Sequence, residues 1–145
     1  MYDAVLLPTD GSEGTHAAVD HAIEHATRYE AALHVIYVVD ARVGVVHETT
    51  PDAVFEELED QGRRAIEDVH TKARAADVGT IEGVVARGDP HQAIIDYAVA
   101  EDIDLIVMGT HGRTGLDHYL IGSVTEKVVR LADVPVLTVP LTAGK

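Results

Sequence analysis

A glycine-rich segment in the second half of the chain carries the residue types that bind phosphate. Gly109, Gly112, Gly122 and Ser123 are spaced as G-x2-G-x9-G-S. Glycine lacks a Cβ, so the backbone at Gly109 and Gly112 can adopt a positive φ and come close to a ligand. A helix is predicted to open at Gly122, and the first N–H groups of a helix have no partner within it. The spacing therefore predicts a phosphate-binding loop, and the alternative is that the glycines serve only the geometry of a strand-to-helix turn.

The predicted helix also carries a recognisable start. Ser123 and Glu126 form the S-x-x-E pattern of a capping box, which places the positive end of the helix dipole directly after the glycines. Within the loop, Arg113 is a candidate phosphate contact, and His111 could approach a terminal phosphate. Catalysis by His111 with Ser123 is the less favoured alternative. We assign no catalytic residue.

A second loop, Pro8-Thr9-Asp10-Gly11-Ser12, follows the first apolar segment. Asp10 could accept hydrogen bonds from ribose hydroxyls, and its alternative role is to cap the first helix beside Ser12. The apolar residues Val38, Val39 and Met108 end two other predicted strands and could flank a base. Open α/β sheets bind ligands beyond the carboxyl ends of their strands, where the strand order reverses. If the first and fourth strands are neighbours, both loops meet in one crevice.

Five short apolar segments alternate with four amphipathic ones, and these elements must position the loops. Strands are predicted over residues 2–8, 33–39, 79–86, 103–108 and 135–139, and helices follow the first four. The third strand is weaker, because Glu82 and Gly83 interrupt it, and Asp89-Pro90 marks the start of the third helix. Strands apolar enough to be covered on both faces predict an α/β fold: an open, five-stranded parallel sheet with helices on both faces. We expect one domain over residues 1–145.

Composition narrows the classes of partner. The net charge of −14 disfavours nucleic acid and anionic membranes, which are bound through surfaces rich in Lys and Arg. No apolar run approaches the ~20 residues of a membrane span, and the chain begins with a strand instead of a basic signal region, so we expect a cytoplasmic protein. The scarcity of lysine favours adaptation to a cytosol of molar salt over an ordinary acidic protein, because salt screens self-repulsion.

The sequence lacks the motifs of several other kinds of binding or active site. The Walker pattern and G-x-G-x-x-G after the first strand are absent, and so is the G-x-S-x-G elbow of hydrolases. Both serines, Ser12 and Ser123, are interpreted as helix caps. His21 and His25 have the i, i+4 spacing of metal ligands, but a solvated helix face is the favoured interpretation. We assign no metal to the protein itself.

The chain resembles the universal stress protein family over almost its full length. The resemblance rests on Pro8-Thr9-Asp10-Gly11-Ser12-Glu13, Val38-Val39-Asp40, Gly88-Asp89-Pro90, the glycine loop and Val134-Pro135-Val136-Leu137. It implies a Rossmann-like sheet of the adenine nucleotide alpha hydrolase type with strand order 3-2-1-4-5. It also implies a homodimer through the fifth strand.

In the ATP-binding branch of the family the G-x2-G-x9-G-[S/T] pattern holds the phosphates, and all four of its positions match here. The resemblance implies ATP as ligand, with Mg²⁺ on its phosphates. The implied ligand contacts are ribose at Asp10, adenine at Val38 and its neighbours, and an extended phosphate seat at Val124 and Thr125. The complete predicted site is Pro8, Thr9, Asp10, Val38, Val39, Met108, Gly109, His111, Gly112, Arg113, Gly122, Ser123, Val124 and Thr125.

Three functional hypotheses follow. The first is a cytosolic ATP-binding stress protein that acts as a nucleotide-dependent switch and is not an enzyme. The second is a dimeric interaction module that binds no nucleotide. The third is a slow ATP hydrolase or nucleotidyl transferase, which the lack of a positioned base counts against. Gly112→Val is predicted to abolish ATP binding by obstructing the phosphates while leaving the fold intact.

Overall fold

The computed structural model describes residues 2–12, 15–40, 52–110 and 122–140. The strands are β1 (Ala4–Pro8), β2 (Ala32–Asp40), β3 (Ile81–Gly88), β4 (Leu105–Gly109) and β5 (Val136–Val139). The helices are α1 (His16–Tyr29), α2 (Asp52–Ala75), α3 (Pro90–Ala100) and α4 (Ser123–Leu131). Strands and helices therefore alternate along the chain, as the apolar segments predict.

All five strands run parallel in one sheet, in the order β3-β2-β1-β4-β5. The predicted fold class and strand order are confirmed. The order reverses between β1 and β4, which are neighbours although α1, β2, α2, β3 and α3 separate them along the chain. The loops after β1 and β4 consequently leave the same edge of the sheet side by side.

Alternation along the central strands divides the core between the two faces of the sheet. Val5 and Leu7 face a cluster that includes Val19 of α1 and Val69 of α2. Ala4 and Leu6 face the opposite cluster, formed with α3 and α4, to which Ile94, Ala98 and Val128 contribute. Each face of the sheet is thus covered by two helices.

The outer strand β3 departs from the expectation that every strand is buried on both faces. Its residues are half-buried or exposed along its whole length, and it begins at Ile81, two residues after the predicted start. An outer strand has a sheet neighbour on one side and lies at the margin of the helical layers. The exposed Glu82 is tolerated there for this reason, whereas Gly83 makes room for Ile66 of α2, with which a Cβ would clash.

A carboxylate fixes the two central strands to each other at the amino edge of the sheet. Oδ2 of Asp104, one residue before β4, accepts hydrogen bonds from the backbone N–H groups of Asp3 and Ala4, at 2.8 and 3.0 Å. The N–H of Asp104 itself donates to the carbonyl of Ala4 at 2.9 Å. These bonds hold β1 beside β4 and so define where the strand order reverses.

A polar pair joins β2 to α3 at the margin of the core, where Tyr97 is half-buried. Nδ1 of His34, a buried residue of β2, is hydrogen-bonded to the hydroxyl of Tyr97 on α3 at 2.7 Å. Burial raises the pKa of Tyr97, and the nearby carboxylates of Glu101 and Glu82 raise it further. The phenol therefore stays protonated near neutral pH, and its hydrogen bond to His34 joins the sheet to the helix.

No helix in the described part of the chain is long and apolar enough to cross a membrane.

Candidate functional site

The loop after β1 is held by hydrogen bonds among its own side chains. Oδ1 of Asp10 accepts from the backbone N–H and the hydroxyl of Ser12, at 2.9 and 2.5 Å. The Thr9 hydroxyl accepts from the N–H of Gly11 at 3.1 Å, and Gly11 has a φ of +78°, a conformation in which glycine is favoured. The loop is a preformed turn that ends β1 at the point where the strand order reverses.

Neither Asp10 nor Ser12 occupies the N-cap position of the first helix. Helix α1 begins at His16, and Thr15 occupies its N-cap position without a side-chain capping bond. Ser12 contributes its carbonyl instead, which accepts from the N–H and hydroxyl of Thr15 at 3.1 and 2.9 Å. Within the described residues, the side chains of Asp10 and Ser12 bond to each other in the turn that precedes the helix.

The capping box predicted for the last helix is also wrong. Gly122 is the N-cap of α4 and has no side chain to cap it, and Ser123 is already the first helical residue. Glu126 pairs with Arg130 one turn later, at 2.5 and 2.6 Å, instead of reaching back. The N–H groups of Ser123, Val124 and Thr125 are consequently the first three of a helix and have no acceptor within it.

Gly109 and Gly122, the two glycines of the motif that the structure describes, have ordinary backbone angles. Gly109 is the extended last residue of β4, and Gly122 has a φ of −60° and a ψ of 155°, which any residue can adopt. The expected positive φ at Gly109 is therefore not observed. What glycine contributes here is the missing Cβ, which leaves the backbone open to close approach. Gly112 lies outside the described residues.

Hydrogen bonds join the end of β4 to the start of α4. The buried hydroxyl of Thr125 donates to the carbonyl of Gly109 at 2.8 Å, and the N–H of Gly122 donates to the carbonyl of Thr110 at 2.6 Å. Thr110 donates in turn to the carbonyl of Val139 on β5 at 3.0 Å. The helix start is thereby fixed against the carboxyl edge of the sheet.

A cavity of about 290 Å³ lies where these pieces meet. It is slightly smaller than the ~300–1,000 Å³ typical of small-molecule sites. The described residues that line it are Pro8, Thr9, Asp10, Thr15, Ile36, Val38, Asp40, Pro90, Ile94, Met108, Gly109, Gly122, Ser123, Val124 and Thr125. The end at β2 and α3 is mostly apolar, and the end at α4 presents backbone N–H groups.

With one exception, the predicted site residues that the structure describes all line this cavity. The exception is Val39, which is 2% exposed. Successive residues of a strand point to opposite faces, so Val39 faces away from the cavity that Val38 lines. The structure therefore does not bring Val39 to the site. His111, Gly112 and Arg113 lie outside the described residues.

Sequence reasoning missed five lining residues: Thr15, Ile36, Asp40, Pro90 and Ile94. Strand alternation alone carries a signal for two of them, because Ile36 and Asp40 share the face of Val38. The hydroxyl of Thr15 lies 3.2 Å from that of Thr9, which no local pattern indicates. Pro90 and Ile94 reach the cavity because α3 packs over β2, a fact of tertiary structure.

A larger cleft of about 610 Å³ lies on the opposite face of the sheet, between α1 and α2. Tyr37 and Val69 contribute to its apolar part, while its rim carries exposed side chains such as Arg64, Asp68 and Lys72. It shares Thr9 and Asp10 with the smaller cavity. The smaller cavity is the better candidate, because it combines an apolar wall with a helix N-terminus at the sheet reversal.

His21 and His25 lie on the outer face of α1. His21 is exposed, and Nδ1 of His25 is hydrogen-bonded to the carbonyl of His21 at 2.8 Å, within the helix. Among the described residues, no three His, Asp or Glu side chains are grouped so that they could hold a metal ion.

The open parallel sheet, with its cavity at the β1/β4 reversal, defines a Rossmann-like α/β domain of the class that binds ligands at the carboxyl edge. The sequence matches the model of the universal stress protein family over residues 1–140. The chain belongs to the universal stress protein family.

Individual relatives agree with this assignment. The universal stress protein MJ0531 of Methanocaldococcus jannaschii is 38% identical over 141 residues, which cover 96% of this chain and 82% of the relative. The solved structure of protein MJ0577 superimposes with a TM-score of 0.85 and 32% identity, covering 96% of both chains. A universal stress protein crystallised in complex with cAMP has a TM-score of 0.72 and 26% identity, covering 97% of this chain and 98% of its own.

Proposed function

We propose that this universal stress protein binds ATP in the cavity at the β1/β4 reversal and acts as a nucleotide-dependent switch. The observation that carries the proposal is the cavity itself, which joins an apolar wall at β2 and α3 to the start of α4. An adenine nucleotide has the matching layout, with an apolar ring at one end and phosphates at the other. The cAMP complex of a related protein supports the nucleotide class.

The phosphate end of the cavity is built from backbone. The N–H groups of Ser123, Val124 and Thr125 and the positive end of the α4 dipole favour an anion, and Gly122 leaves room for it to approach. Glu126 is in the first turn and Asp10 lies nearby in the lining, so the local field is not purely positive. Mg²⁺ on the phosphates would supply charge neutralisation. We propose that His111, Gly112 and Arg113 complete this end.

The base end offers a backbone donor and acceptor. Alternation directs the N–H and C=O of Ile36 towards β1, and its carbonyl accepts from the N–H of Thr9 at 2.9 Å. The N–H and C=O of Val38 point to the same side, but β1 has ended at Pro8. They therefore face the space beyond the end of β1, where N1 and the 6-amino group of adenine would find a donor and an acceptor. Asp10, from the loop after β1, is the proposed ribose contact.

The switch requires that ATP bind two states of the protein with different affinity. We propose that the phosphates order the chain between Gly109 and Ser123 and so alter the surface presented to partners.

Homodimerisation through β5 belongs to the same proposal, because β5 pairs only with β4 in the described sheet and exposes an edge. Sedimentation equilibrium would measure the mass in solution. A role in the cytoplasm is likewise part of the proposal.

Calorimetric titration of nucleotide-free protein with Mg-ATP, in low and in molar KCl, tests the proposal. We expect saturable binding near one ATP per chain. Gly122→Val should abolish it, because a branched side chain would occupy the cavity wall at a backbone conformation that valine adopts without strain. Gly79→Val is the matched control, since a Cβ at Gly79 meets no atom within 4 Å.

The alternatives make different predictions. Absence of binding by the folded wild-type protein in both buffers would overturn the nucleotide proposal and favour the interaction module. Equal affinity of the Gly122→Val variant and wild type would show that ATP binds elsewhere. Steady release of phosphate above that of the Asp10→Ala variant would favour the slow hydrolase.

A further inference from the structure

One charged side chain interrupts the apolar wall at the base end of the cavity. Among the described residues, Ile36, Val38, Pro90 and Ile94 line that end together with Asp40. Asp40 is the last residue of β2 and is half-buried. In small-molecule sites a few polar groups on an apolar wall set specificity. A carboxylate in this place accepts hydrogen bonds and disfavours a ligand oxygen.

The position of Asp40 relative to Val38 follows from strand geometry. The two residues share one face of β2 and are ~7 Å apart along it, at a rise of ~3.3 Å per residue. Along a strand, the C=O of a residue lies nearer the carboxyl end than its N–H. A purine whose N1 accepts from Val38 N–H and whose 6-substituent meets Val38 C=O therefore directs that substituent towards Asp40. The carboxylate lies beside the position that distinguishes amino from oxo purines.

We infer that Asp40 is a specificity-determining residue, which selects 6-aminopurine nucleotides over 6-oxopurine nucleotides by accepting a hydrogen bond from the amino group. This inference rests on the proposed nucleotide site. A 6-amino group has two hydrogens, so it donates both to Val38 C=O and to the Asp40 carboxylate. A 6-oxo group presents lone pairs to both acceptors and is rejected by both.

The test compares ATP with ITP, which has an oxygen at position 6, by calorimetric titration of wild type, Asp40→Asn and Asp40→Ala. Wild type should prefer ATP by about tenfold or more, the size expected for a hydrogen bond to a charged group. Asp40→Asn should weaken the binding of ATP several-fold and strengthen the binding of ITP, because the asparagine amide can donate a hydrogen bond to the 6-oxo group. Asp40→Ala should weaken the binding of ATP and strengthen that of ITP less than Asp40→Asn does, because alanine removes the repulsion of the carboxylate but supplies no donor.

The control is Asp102→Asn, which makes the same change of charge outside the cavity. Asp102 lies in the turn before β4 with a φ of 52°, a conformation that asparagine tolerates. Its ATP/ITP ratio should equal that of wild type. Circular dichroism would confirm that each variant is folded.

Failure of this inference is distinguishable from failure of the proposed function. If wild type binds ATP and the Asp40 variants keep its ATP/ITP ratio, Asp40 does not select the base and the nucleotide site stands. Equal affinity of wild type for ATP and ITP would overturn the inference without any variant. If wild type binds neither nucleotide, the proposed function is wrong, and this inference, which rests on it, is wrong as well.

Discussion

Tyr97 and His34 show how a single polar contact is accommodated at the margin of the core, on its α3 side. Their hydrogen bond is 2.7 Å long and the two rings meet edge to face, with centroids 5.6 Å apart. A buried polar group is expensive only when it lacks a partner, so each residue makes the other tolerable. Replacing one of the two leaves the other without its bond.

Tyr97→Phe should lower the free energy of unfolding near neutral pH by about 1 kcal/mol, the typical net value of a hydrogen bond. The raised pKa of Tyr97 adds a pH dependence. Stability from the half-buried, protonated phenol is complete below its ordinary pKa of 10.0 and is lost as pH rises through the higher folded-state pKa. Urea titrations at pH 8 to 11 should show the two proteins converging above pH 10.

The variant lacks this phenol, so its unfolding free energy should change less over the same range. A constant difference between wild type and Tyr97→Phe from pH 8 to 11 would contradict the assignment of the raised pKa to Tyr97.

Gly62 lies in helix α2 where the helix packs against Tyr37 of β2. Glycine inside a helix costs about 1 kcal/mol relative to alanine, yet Gly62 lies well within Asp52–Ala75. A Cβ at Gly62 would lie 2.6 Å from Cδ1 of Tyr37 on β2. Tyr37 is 4% exposed and its ring is rigid, so it cannot give way cheaply. The glycine lets α2 pack closely on the sheet.

Gly62→Ala should therefore destabilise the protein, although alanine is the better helix former. Overpacking typically costs 1–3 kcal/mol, and the helix gain offsets about 1 of this, so we expect a net loss of roughly 1 kcal/mol. Thermal or urea unfolding measures it. Gly79→Ala is the control, since a Cβ there meets nothing within 4 Å. Greater stability of Gly62→Ala would show that Tyr37 can move.

At the scale of the whole molecule, charge is the dominant feature. At a net charge of −14, repulsion between the acidic side chains destabilises the compact folded state. The ion pairs Arg28–Glu24, Arg63–Asp60 and Arg130–Glu126 are mostly solvent-exposed, and exposed ion pairs contribute little to the free energy of unfolding. Screening shortens the reach of repulsion to about 3 Å at 1 M salt. Salt should therefore stabilise this fold.

We expect the Tm to rise by about 5 °C between 0.05 and 1 M KCl, with most of the rise below 0.5 M, where the Debye length shortens fastest. Differential scanning fluorimetry across a KCl series measures it. The variant Glu56→Gln/Glu57→Gln removes two exposed acids and should respond less. A Tm independent of KCl would contradict the proposed adaptation to molar salt.

Local patterns were sufficient to predict the elements and the loops between them. Apolar runs and helical periodicity gave the five strands and four helices to within a few residues, because both signals come from burial within one short segment. Side-chain placement was predicted less well where it depends on a neighbour. Ser123 was predicted as a cap, but the bond from Thr125 to Gly109 sets the helix start instead.

The sequence by itself determined the class of fold, the family resemblance and the two loops of the candidate site, because each of these depends on patterns of residues that are close together along the chain. Only the tertiary structure decided that Thr15 lies beside Thr9 in the lining of the cavity, that the hydroxyl of Thr125 bonds to the carbonyl of Gly109, and that α3 covers the base end. The physical reason is that these facts depend on strand register and helix packing between segments distant in sequence. Interactions such as that of Asp104 with Asp3 and Ala4, which bring those segments together, leave no local pattern.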